Sequence, residues 1–292
     1  MMHGLRGALR TAVPAGLRPS LGALQERMLI RSLRAALREQ WLFDLYERLA
    51  RSGPDIRYQY TTREVASEYA EAKVRAQHAF QMFMAEKALE RVRPPAAQPL
   101  TVVDIGDSAG THIQYLQALH PELRLRCLSV NLDPQAVAKI QAKGLEAVCM
   151  RAKELSQAGI DANLFLSFET VEHLMDPIHL LRDLAHVSHC EALVLTVPYV
   201  AQSRLGLHHI RAARRERVAP ENTHIFELSP GDWRLAFQHA GWAVAYDRIY
   251  RQYPRRGPLR LLKPWWKRVD FGGFWGAVLV RDATWSDLYS GW

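Results

Sequence analysis

The chain has 292 residues, of which 48% are hydrophobic and 23% are charged, an ordinary composition for a globular protein. No apolar run approaches the length of a membrane span, which argues against an integral membrane protein. The three cysteines, Cys127, Cys149 and Cys190, are far apart and lack metal-ligand spacing. This pattern favours reduced thiols in the cytosol over a disulfide framework.

The net charge of +8 is concentrated in three basic segments of the chain. Residues 1–25 contain arginines and no acid, a second run spans 204–217, and a third spans 248–268 without a carboxylate. One such run is typical of a solvated face, but three on one chain favour an anionic partner.

The basic start of the chain has two interpretations. An arginine-rich, acid-free N-terminus is typical of a mitochondrial transit peptide, but Pro14 and Pro19 interrupt the helix that such a peptide forms. We therefore predict a disordered basic tail over residues 1–25 and a cytoplasmic protein, with mitochondrial targeting as the alternative.

Helical periodicity follows this tail. One helical pattern spans residues 21–50, and a capping box formed by Thr61 and Glu64 predicts the start of a second helix. Pro94 and Pro95 end that helix, because proline disfavours helix at the residue before it. We interpret residues 26–95 as a helical extension of the following domain.

After Pro95 the chain alternates between short apolar strands and helices. The strand-like runs are "LTVVDIG", "RLRCLSVN", "EAVCM", "NLFLSF" and "ALVLTVP", and helices are predicted to begin near Thr111, Pro134, Leu155 and Pro177. This alternation predicts an α/β domain with a mostly parallel sheet over residues 96–292. Two late runs, "WAVAYDRIY" and "FWGAVLVRD", predict an antiparallel pair joined by a basic and aromatic insertion near 254–270.

The loop after the first predicted strand, Asp104 to Gly110, is the strongest candidate for a ligand site. Gly106 and Gly110 permit positive φ angles or close backbone approach, and Ser108 is nearly as small. The spacing differs from the dinucleotide fingerprint G-x-G-x-x-G, and the lysine of a P-loop is absent. A tight strand-to-helix turn without a ligand is the alternative.

The pattern D-x-G-x-S-x-G resembles motif I of the class I S-adenosylmethionine-dependent methyltransferases. The resemblance continues through "CLSVNLDP", "NLFLSFETVEHLMDP", "ALVLTVP" and "ENTHIFELSPGDWRLAFQHAGW", and covers residues 99–282. It implies a Rossmann-like class I methyltransferase fold with a mostly parallel seven-stranded sheet flanked by helices, and S-adenosylmethionine as the cofactor.

The resemblance also implies roles for individual residues. The glycine loop would line the methionine end of the cofactor, with Asp104 ordering the loop. The acid that usually binds the ribose is replaced by Asn131, with Asp133 two residues later, and the usual adenine acid is missing from "MRAKEL". The implied cofactor-binding residues are Asp104, Gly106, Ser108, Gly110, Asn131, Asp133, Phe168 and Glu169.

The segment "FETVEHL" resembles the E-x-x-E-H pattern of ubiquinone-pathway O-methyltransferases. A hydroxyl acceptor must lose a proton during methylation, and histidine is a suitable base. We therefore predict Glu172, His173 and the later His224 as catalytic residues. Two alternatives remain: Glu169, Glu172 and His173 bind a divalent ion, which we do not favour, or Glu172 and His173 only cap the next helix.

The basic segments predict the nature of the acceptor. The substrate-binding candidates are Tyr199, Arg211, Arg214, Trp265 and Trp266. Tryptophans among cations suit a headgroup interface, which predicts a small or lipid-linked, anionic acceptor and an anionic membrane surface as a partner. The alternative is that Trp265 and Trp266 pack back onto the sheet. Nucleic acid is not favoured, because the N-P-P-Y-like turn of base methylases and a recognisable RNA-binding module are missing.

Two further functions stay open as alternatives, an RNA methyltransferase and a non-catalytic, methyltransferase-like binding subunit. The altered ribose position and the missing adenine acid favour the latter. The sequence carries no signal for an oligomeric state.

Overall fold

The computed structural model describes residues 18–52, 56–61, 64–93, 98–187, 189–219, 223–264 and 273–289. Its helices are α1 (Arg18–Glu39), α2 (Phe43–Ser52), α3 (Glu68–Leu89), α4 (Thr111–Leu119), α5 (Pro134–Gln141), α6 (Pro177–Val187), α7 (His208–Arg211) and α8 (Pro230–His239). Its strands are β1 (Leu100–Ile105), β2 (Leu125–Asn131), β3 (Ala147–Cys149), β4 (Leu164–Phe168), β5 (Ala192–Pro198), β6 (Arg204–Leu205), β7 (Phe226–Glu227), β8 (Trp242–Tyr250) and β9 (Phe274–Arg281).

Seven strands form one sheet in the order β3-β2-β1-β4-β5-β9-β8. The strands from β3 to β5 pair in parallel, whereas β9 is antiparallel to both β5 and β8. The predicted mostly parallel sheet and the late antiparallel pair are confirmed. Because β8 runs in the same direction as β5, the connection after Tyr250 leaves from the sheet edge where β1, β4 and β5 end.

The N-terminal extension covers one face of this sheet. Leu33 of α1 and Phe80 of α3 belong to the same buried cluster as Val102 of β1. The next residue, Val103, packs on the opposite face in a cluster with Trp233 of α8, as expected when successive strand side chains alternate. The extension therefore shares the core of the sheet instead of forming a core of its own.

The helix boundaries differ from the sequence expectations at four places. Helix α1 begins at Arg18, inside the range predicted as a tail, while residues 1–17 lie outside the described part of the chain. The long helical pattern breaks at Trp41, whose φ is 53°, a conformation that ends a right-handed helix.

The third helix and the segment near Leu155 also differ. Helix α3 begins at Glu68, because the Ser67 side chain caps it by accepting from the Ala70 N–H at 3.1 Å, so the predicted start at Thr61 was wrong. The helix predicted near Leu155 is only a 3-10 turn, Ala152–Glu154. Among the described helices, none combines the length and the apolar character needed to cross a membrane.

Candidate active site

The glycine loop follows β1 at the carboxyl edge of the sheet. Gly106 has a φ of 91° and Gly110 a φ of 71°, which other residues adopt rarely. A Cβ at Gly106 would lie 2.2 Å from Thr170 Oγ1, and one at Gly110 would lie 2.6 Å from Leu145 Cδ1. Both positions therefore require glycine, because a side chain would collide with neighbouring protein atoms. Gly106 is exposed at the sheet edge.

Asp107 orders this loop. Its Oδ1 accepts the N–H groups of Ala109 and Gly110 at 3.1 and 2.8 Å, and its Oδ2 accepts the Ser129 hydroxyl at 2.8 Å. The residue is only 1% exposed. The expectation that Asp104 orders the loop is therefore wrong, because Asp104 points into the core on the face covered by the extension.

Asp104 begins a buried hydrogen-bonded chain. Its Oδ2 lies 2.9 Å from His112 Nδ1, the other His112 nitrogen donates to Gln81 Oε1 at 3.1 Å, and Gln81 donates to Thr196 Oγ1 at 3.4 Å. The Thr196 hydroxyl in turn bonds the carboxyl of Glu169. These hydrogen bonds connect the end of β1 to the end of β4 through Gln81 of α3.

Asp104 and His112 form a buried acid–base pair. Burial raises the pKa of Asp104 to about 6. Burial by itself lowers the pKa of His112, but the nearby Asp104 carboxylate outweighs it, so this pKa is raised. Either residue can carry the proton while His112 keeps its N–H toward Gln81, so the network persists in both forms.

Gln59, from the segment between α2 and α3, lies on the glycine loop. Its main-chain oxygen accepts the Ser108 hydroxyl at 2.9 Å, and its side-chain oxygen accepts the Thr111 hydroxyl at 2.6 Å. Gln59 is 3% exposed. Sequence analysis missed this residue, because no local pattern connects it with a loop nearly fifty positions later. The extension therefore closes over the loop at Ser108.

Asn131, at the end of β2, joins that strand to the loop. Its Nδ2 donates to the Asp107 main-chain oxygen at 2.8 Å, and its Oδ1 accepts the Asp133 N–H at 2.8 Å. Asp133 caps α5 through one oxygen, which accepts the Gln135 N–H at 2.9 Å. The amide at the expected ribose position thus has a structural role, and Asp133 is the carboxylate that this strand end provides.

Two carboxyl groups follow β4. Glu169 has a φ of 52°, a strained conformation for a non-glycine residue, and burial raises its pKa to about 8. Glu172 is 1% exposed, and burial together with the charge of Glu169 raises its pKa well above the ordinary value. Among the described residues, Glu169 Oε1 and both oxygens of Glu172 have no hydrogen-bond partner.

The structure brings His173 and His224 together beside Glu172. The two rings lie 4.8 Å apart in an edge-to-face arrangement. His173 Nδ1 lies 3.0 Å from the Thr223 carbonyl, which can only accept, so the neutral ring presents Nε2 as a lone pair. That Nε2 lies 3.8 Å from Glu172 Oε1. Burial lowers the pKa of His224, and Glu227 opposes this only in part.

Glu227 orients His224 from the opposite side. Its Oε1 lies 3.3 Å from His224 Nδ1 and 2.8 Å from His208 Nε2, while its Oε2 accepts from Arg204 Nε at 2.5 Å. Burial raises the pKa of Glu227, but His208 and Arg204 outweigh it and the pKa is lowered. A partner of this type fixes the tautomer of a histidine base. Sequence analysis did not assign Glu227.

The same cluster has the composition of a metal site. One ligand atom each from Glu172, His173 and His224 lies within 4.8 Å of the others. A carboxylate with two imidazoles suits a divalent transition metal. This set differs from the alternative of Glu169, Glu172 and His173, because His224 takes the place of Glu169.

The remaining predicted site residues have varied positions. Phe168 packs in the core against the His112 ring at 4.9 Å. Tyr199 is half-buried with the Arg251 guanidinium 5.1 Å from its ring centre. Arg211 donates to the carbonyls of Leu205 and Gly206 and so has a structural role.

Arg214 is exposed. Trp265 and Trp266 lie outside the described residues.

No protein-family model and no curated protein matches this chain. Several solved structures do match it. A proposed sarcosine dimethylglycine methyltransferase from Galdieria sulphuraria superposes with a TM-score of 0.52 at 13% identity, over 74% of this chain and 87% of its own. Geranyl diphosphate C-methyltransferase from Streptomyces coelicolor A3(2) gives 0.50 at 12%, over 74% and 84%, and the cyclase SpnF gives 0.50 at 11%, over 82% and 92%.

The chain has the class I methyltransferase fold. The predicted resemblance is thereby confirmed for the fold. Because a cyclase shares the class I methyltransferase fold, the reaction has to be argued from the site itself. In this fold the glycine loop after β1 and the Glu169–His173 segment after β4 adjoin at one sheet edge, where Thr170 touches Gly106.

Proposed function

We propose that the chain is an S-adenosylmethionine-dependent methyltransferase that methylates a hydroxyl oxygen. The observation that carries this proposal is the cluster after β4, in which buried carboxyl oxygens of Glu169 and Glu172 lie beside two histidines and have no hydrogen-bond partner within the described part of the chain. Buried polar atoms without partners are rare in proteins. A ligand with positive charge and hydroxyl donors would complete them.

The residues around the glycine loop fit this cofactor. The exposed main chain of Gly106 offers close approach at the sheet edge, Asp133 offers a carboxylate to ribose hydroxyls, and Glu169 lies where β4 ends. Bound S-adenosylmethionine supplies a methyl group on a positively charged sulfur. A positive charge near Glu169 would favour its ionised form and lower the pKa that burial raises.

His224 and His173 are suited to take the acceptor proton. The lowered pKa of His224 keeps its ring unprotonated at neutral pH, and Glu227 at Nδ1 leaves Nε2 as the basic nitrogen. His173 presents Nε2 in the same way, because its Nδ1 faces the Thr223 carbonyl. Proton removal by such a positioned base contributes on the order of a hundredfold to ten-thousandfold in rate.

We extend the proposal to the acceptor and its location. A small or lipid-linked anionic acceptor is supported by the basic connection that leaves Tyr250 at the same sheet edge. Leu261 is 76% exposed beside Arg260 in this connection, an arrangement suited to a headgroup interface. A cytoplasmic protein at an anionic membrane surface remains our prediction, and sedimentation with phosphatidylglycerol vesicles tests it.

Calorimetric titration with S-adenosylmethionine and S-adenosylhomocysteine tests the cofactor. Gly106→Ala places a Cβ against Thr170, whereas Gly144→Ala imposes a similar positive-φ strain with no atom within 4 Å. We expect binding to the wild type and to Gly144→Ala, and loss of binding in Gly106→Ala with a retained cooperative thermal transition. A folded wild type that binds neither compound would favour the non-catalytic binding subunit.

Transfer of a labelled methyl group tests the reaction. The protein is incubated with methyl-labelled S-adenosylmethionine and cell extract divided into small-molecule, lipid and RNA fractions. We expect label in the small-molecule or lipid fraction and at least tenfold less in His224→Asn, while cofactor affinity stays unchanged. Label confined to RNA would contradict the proposed acceptor, and full activity of both His173→Asn and His224→Asn would contradict the proposed base.

A further inference from the structure

A cavity of about 660 Å³ lies in the connection that follows β8. Half of its lining residues are cations, namely Arg251, Arg255, Arg260 and Lys263, and no acidic residue lines it. We refer to it as the cationic cavity. Four like charges around one cavity repel one another, so the arrangement is unfavourable unless an anion joins it.

Two of the four cations are held in place by aromatic rings without being neutralised. The Arg251 guanidinium lies 5.1 Å from the Tyr199 ring centre, and the Lys263 ammonium lies 5.0 Å from that of Tyr253. Aromatic rings orient a cation but leave its formal charge intact. Within the described part of the chain, no ion pair joins any of the four cations to a carboxylate. Arg251 Nε is buried and has no hydrogen-bond partner there.

The end of α1 fixes the main chain of the cationic cavity. Gln40 donates to the Arg251 carbonyl at 2.7 Å and accepts the Arg251 N–H at 2.8 Å. Glu39 accepts the N–H groups of Arg255 and Arg256 at 2.6 and 2.9 Å. The Glu39 carboxylate thus bonds main-chain N–H groups of this segment and leaves the guanidinium groups for a ligand. Such preorganisation lowers the entropic cost of binding.

The cationic cavity lies at the same edge of the sheet as the proposed active site. Arg251 comes directly after β8, at the edge where β4 and β5 also end, and it covers Tyr199, the residue after β5. An anionic group in the cavity would therefore lie on the acceptor side of the sheet edge. Guanidinium groups bind phosphate oxygens in a bidentate manner, and four cations match a diphosphate better than a single carboxylate.

We propose that the cationic cavity binds the phosphate or diphosphate group of a phosphorylated acceptor. This inference rests on the proposed methyltransferase function, because it assigns the cavity to the acceptor of that reaction. Arg251 provides the half-buried contact, and Arg255, Arg260 and Lys263 provide exposed cations around it. The phosphate belongs either to a soluble compound or to a lipid headgroup.

Calorimetric titration of the full chain with inorganic pyrophosphate tests the site. The double variant Arg260→Gln/Lys263→Gln removes two exposed cations from the cavity. Arg124→Gln/Arg126→Gln removes the same charge from exposed residues at the start of β2, on the opposite sheet edge. We expect at least tenfold weaker pyrophosphate binding in the cavity variant and an unchanged affinity in the control variant, with similar melting temperatures for both.

Two further measurements distinguish failure of this inference from failure of the proposed function. Titration in saturating S-adenosylhomocysteine is expected to leave pyrophosphate affinity unchanged, and competition between the two would overturn the assignment to the acceptor. If the protein binds the cofactor but shows neither pyrophosphate binding nor vesicle binding that depends on the cavity, only this inference is overturned. Loss of both would remove the proposed function as well.

Vesicle sedimentation with phosphatidylglycerol identifies the source of the phosphate. Loss of sedimentation only in the cavity variant would support a lipid phosphate. Soluble pyrophosphate binding without vesicle binding would support a soluble one. Equal losses in the cavity variant and the control variant would overturn the site, because the effect would then reflect net charge alone.

Discussion

Asn131 donates its side-chain N–H to the main-chain oxygen of Asp107 at 2.8 Å. This bond joins the end of β2 to the glycine loop and gives a physical reason for an amide at the position where the sequence resemblance implies an acid. A carboxylate at this position could not donate, and it would face the main-chain oxygen of Asp107. The amide at position 131 is therefore coupled to Asp107.

We predict that Asn131→Asp, which introduces the acid that the sequence resemblance implies, destabilises the protein and does not improve cofactor binding. The variant loses the bond to the Asp107 carbonyl and places two acceptors together, so we expect the free energy of unfolding to fall by about 1–3 kcal/mol. Calorimetry is expected to show no gain in S-adenosylmethionine affinity. Tighter binding by Asn131→Asp would show that the position serves the ribose directly.

Asp107→Ala is expected to disorganise the glycine loop. The carboxylate accepts three buried hydrogen bonds, and its removal should lower the free energy of unfolding by about 3 kcal/mol and abolish cofactor binding. Asp282→Ala is the matched control, because its exposed carboxylate also accepts N–H and O–H bonds, both from Thr284. Equal effects of the two variants in chemical denaturation would contradict the assigned role.

The carboxyl groups after β4 predict how stability depends on pH. The folded protein raises the pKa of Glu169 from 4.5 to about 8 and raises that of Glu172, so it binds protons more tightly than the unfolded chain. Their stabilising contribution is fully present below pH 4.5 and is lost as pH rises through about 8. We expect the melting temperature to fall between about pH 5 and about pH 8.5.

A double variant isolates this contribution. Glu169→Gln/Glu172→Gln mimics the protonated groups, so its melting temperature should depend less on pH over the same range than that of the wild type. The exposed Glu90→Gln serves as a control and is expected to follow the wild type. An unchanged pH slope in the double variant would contradict the raised pKa values.

The close contact between α3 and β9, away from the glycine loop, leads to a prediction about stability. A Cβ at Gly276 of β9 would lie 2.9 Å from both Met84 Cγ and Phe80 Cζ. Gly276→Ala is expected to push the extension away from the sheet and lower the free energy of unfolding by about 1–3 kcal/mol. Gly22→Ala, in α1 with no atom within 4 Å, should raise it by about 0.5–1 kcal/mol. Thermal and urea unfolding measure both.

Local sequence determined the strands and the glycine loop. Runs such as "ALVLTVP" and "WAVAYDRIY" coincide with β5 (Ala192–Pro198) and β8 (Trp242–Tyr250), because β-branched and aromatic residues favour the extended backbone of a sheet. The order of motifs then fixed the topology and placed the Glu169–His173 segment at the end of β4. These features depend on neighbours within a few residues.

Tertiary structure alone decided which side chains share the site. Gln81 reaches Thr196, Gln59 reaches Ser108, and Glu227 orients His224 within a cluster that includes His173. Most of these contacts join segments far apart in the chain, and the polar residues involved have no periodicity that marks them. Their partners are set by how α3 and the loop before β7 pack against the sheet, because a buried polar group must pair with whatever donor or acceptor that packing brings within reach.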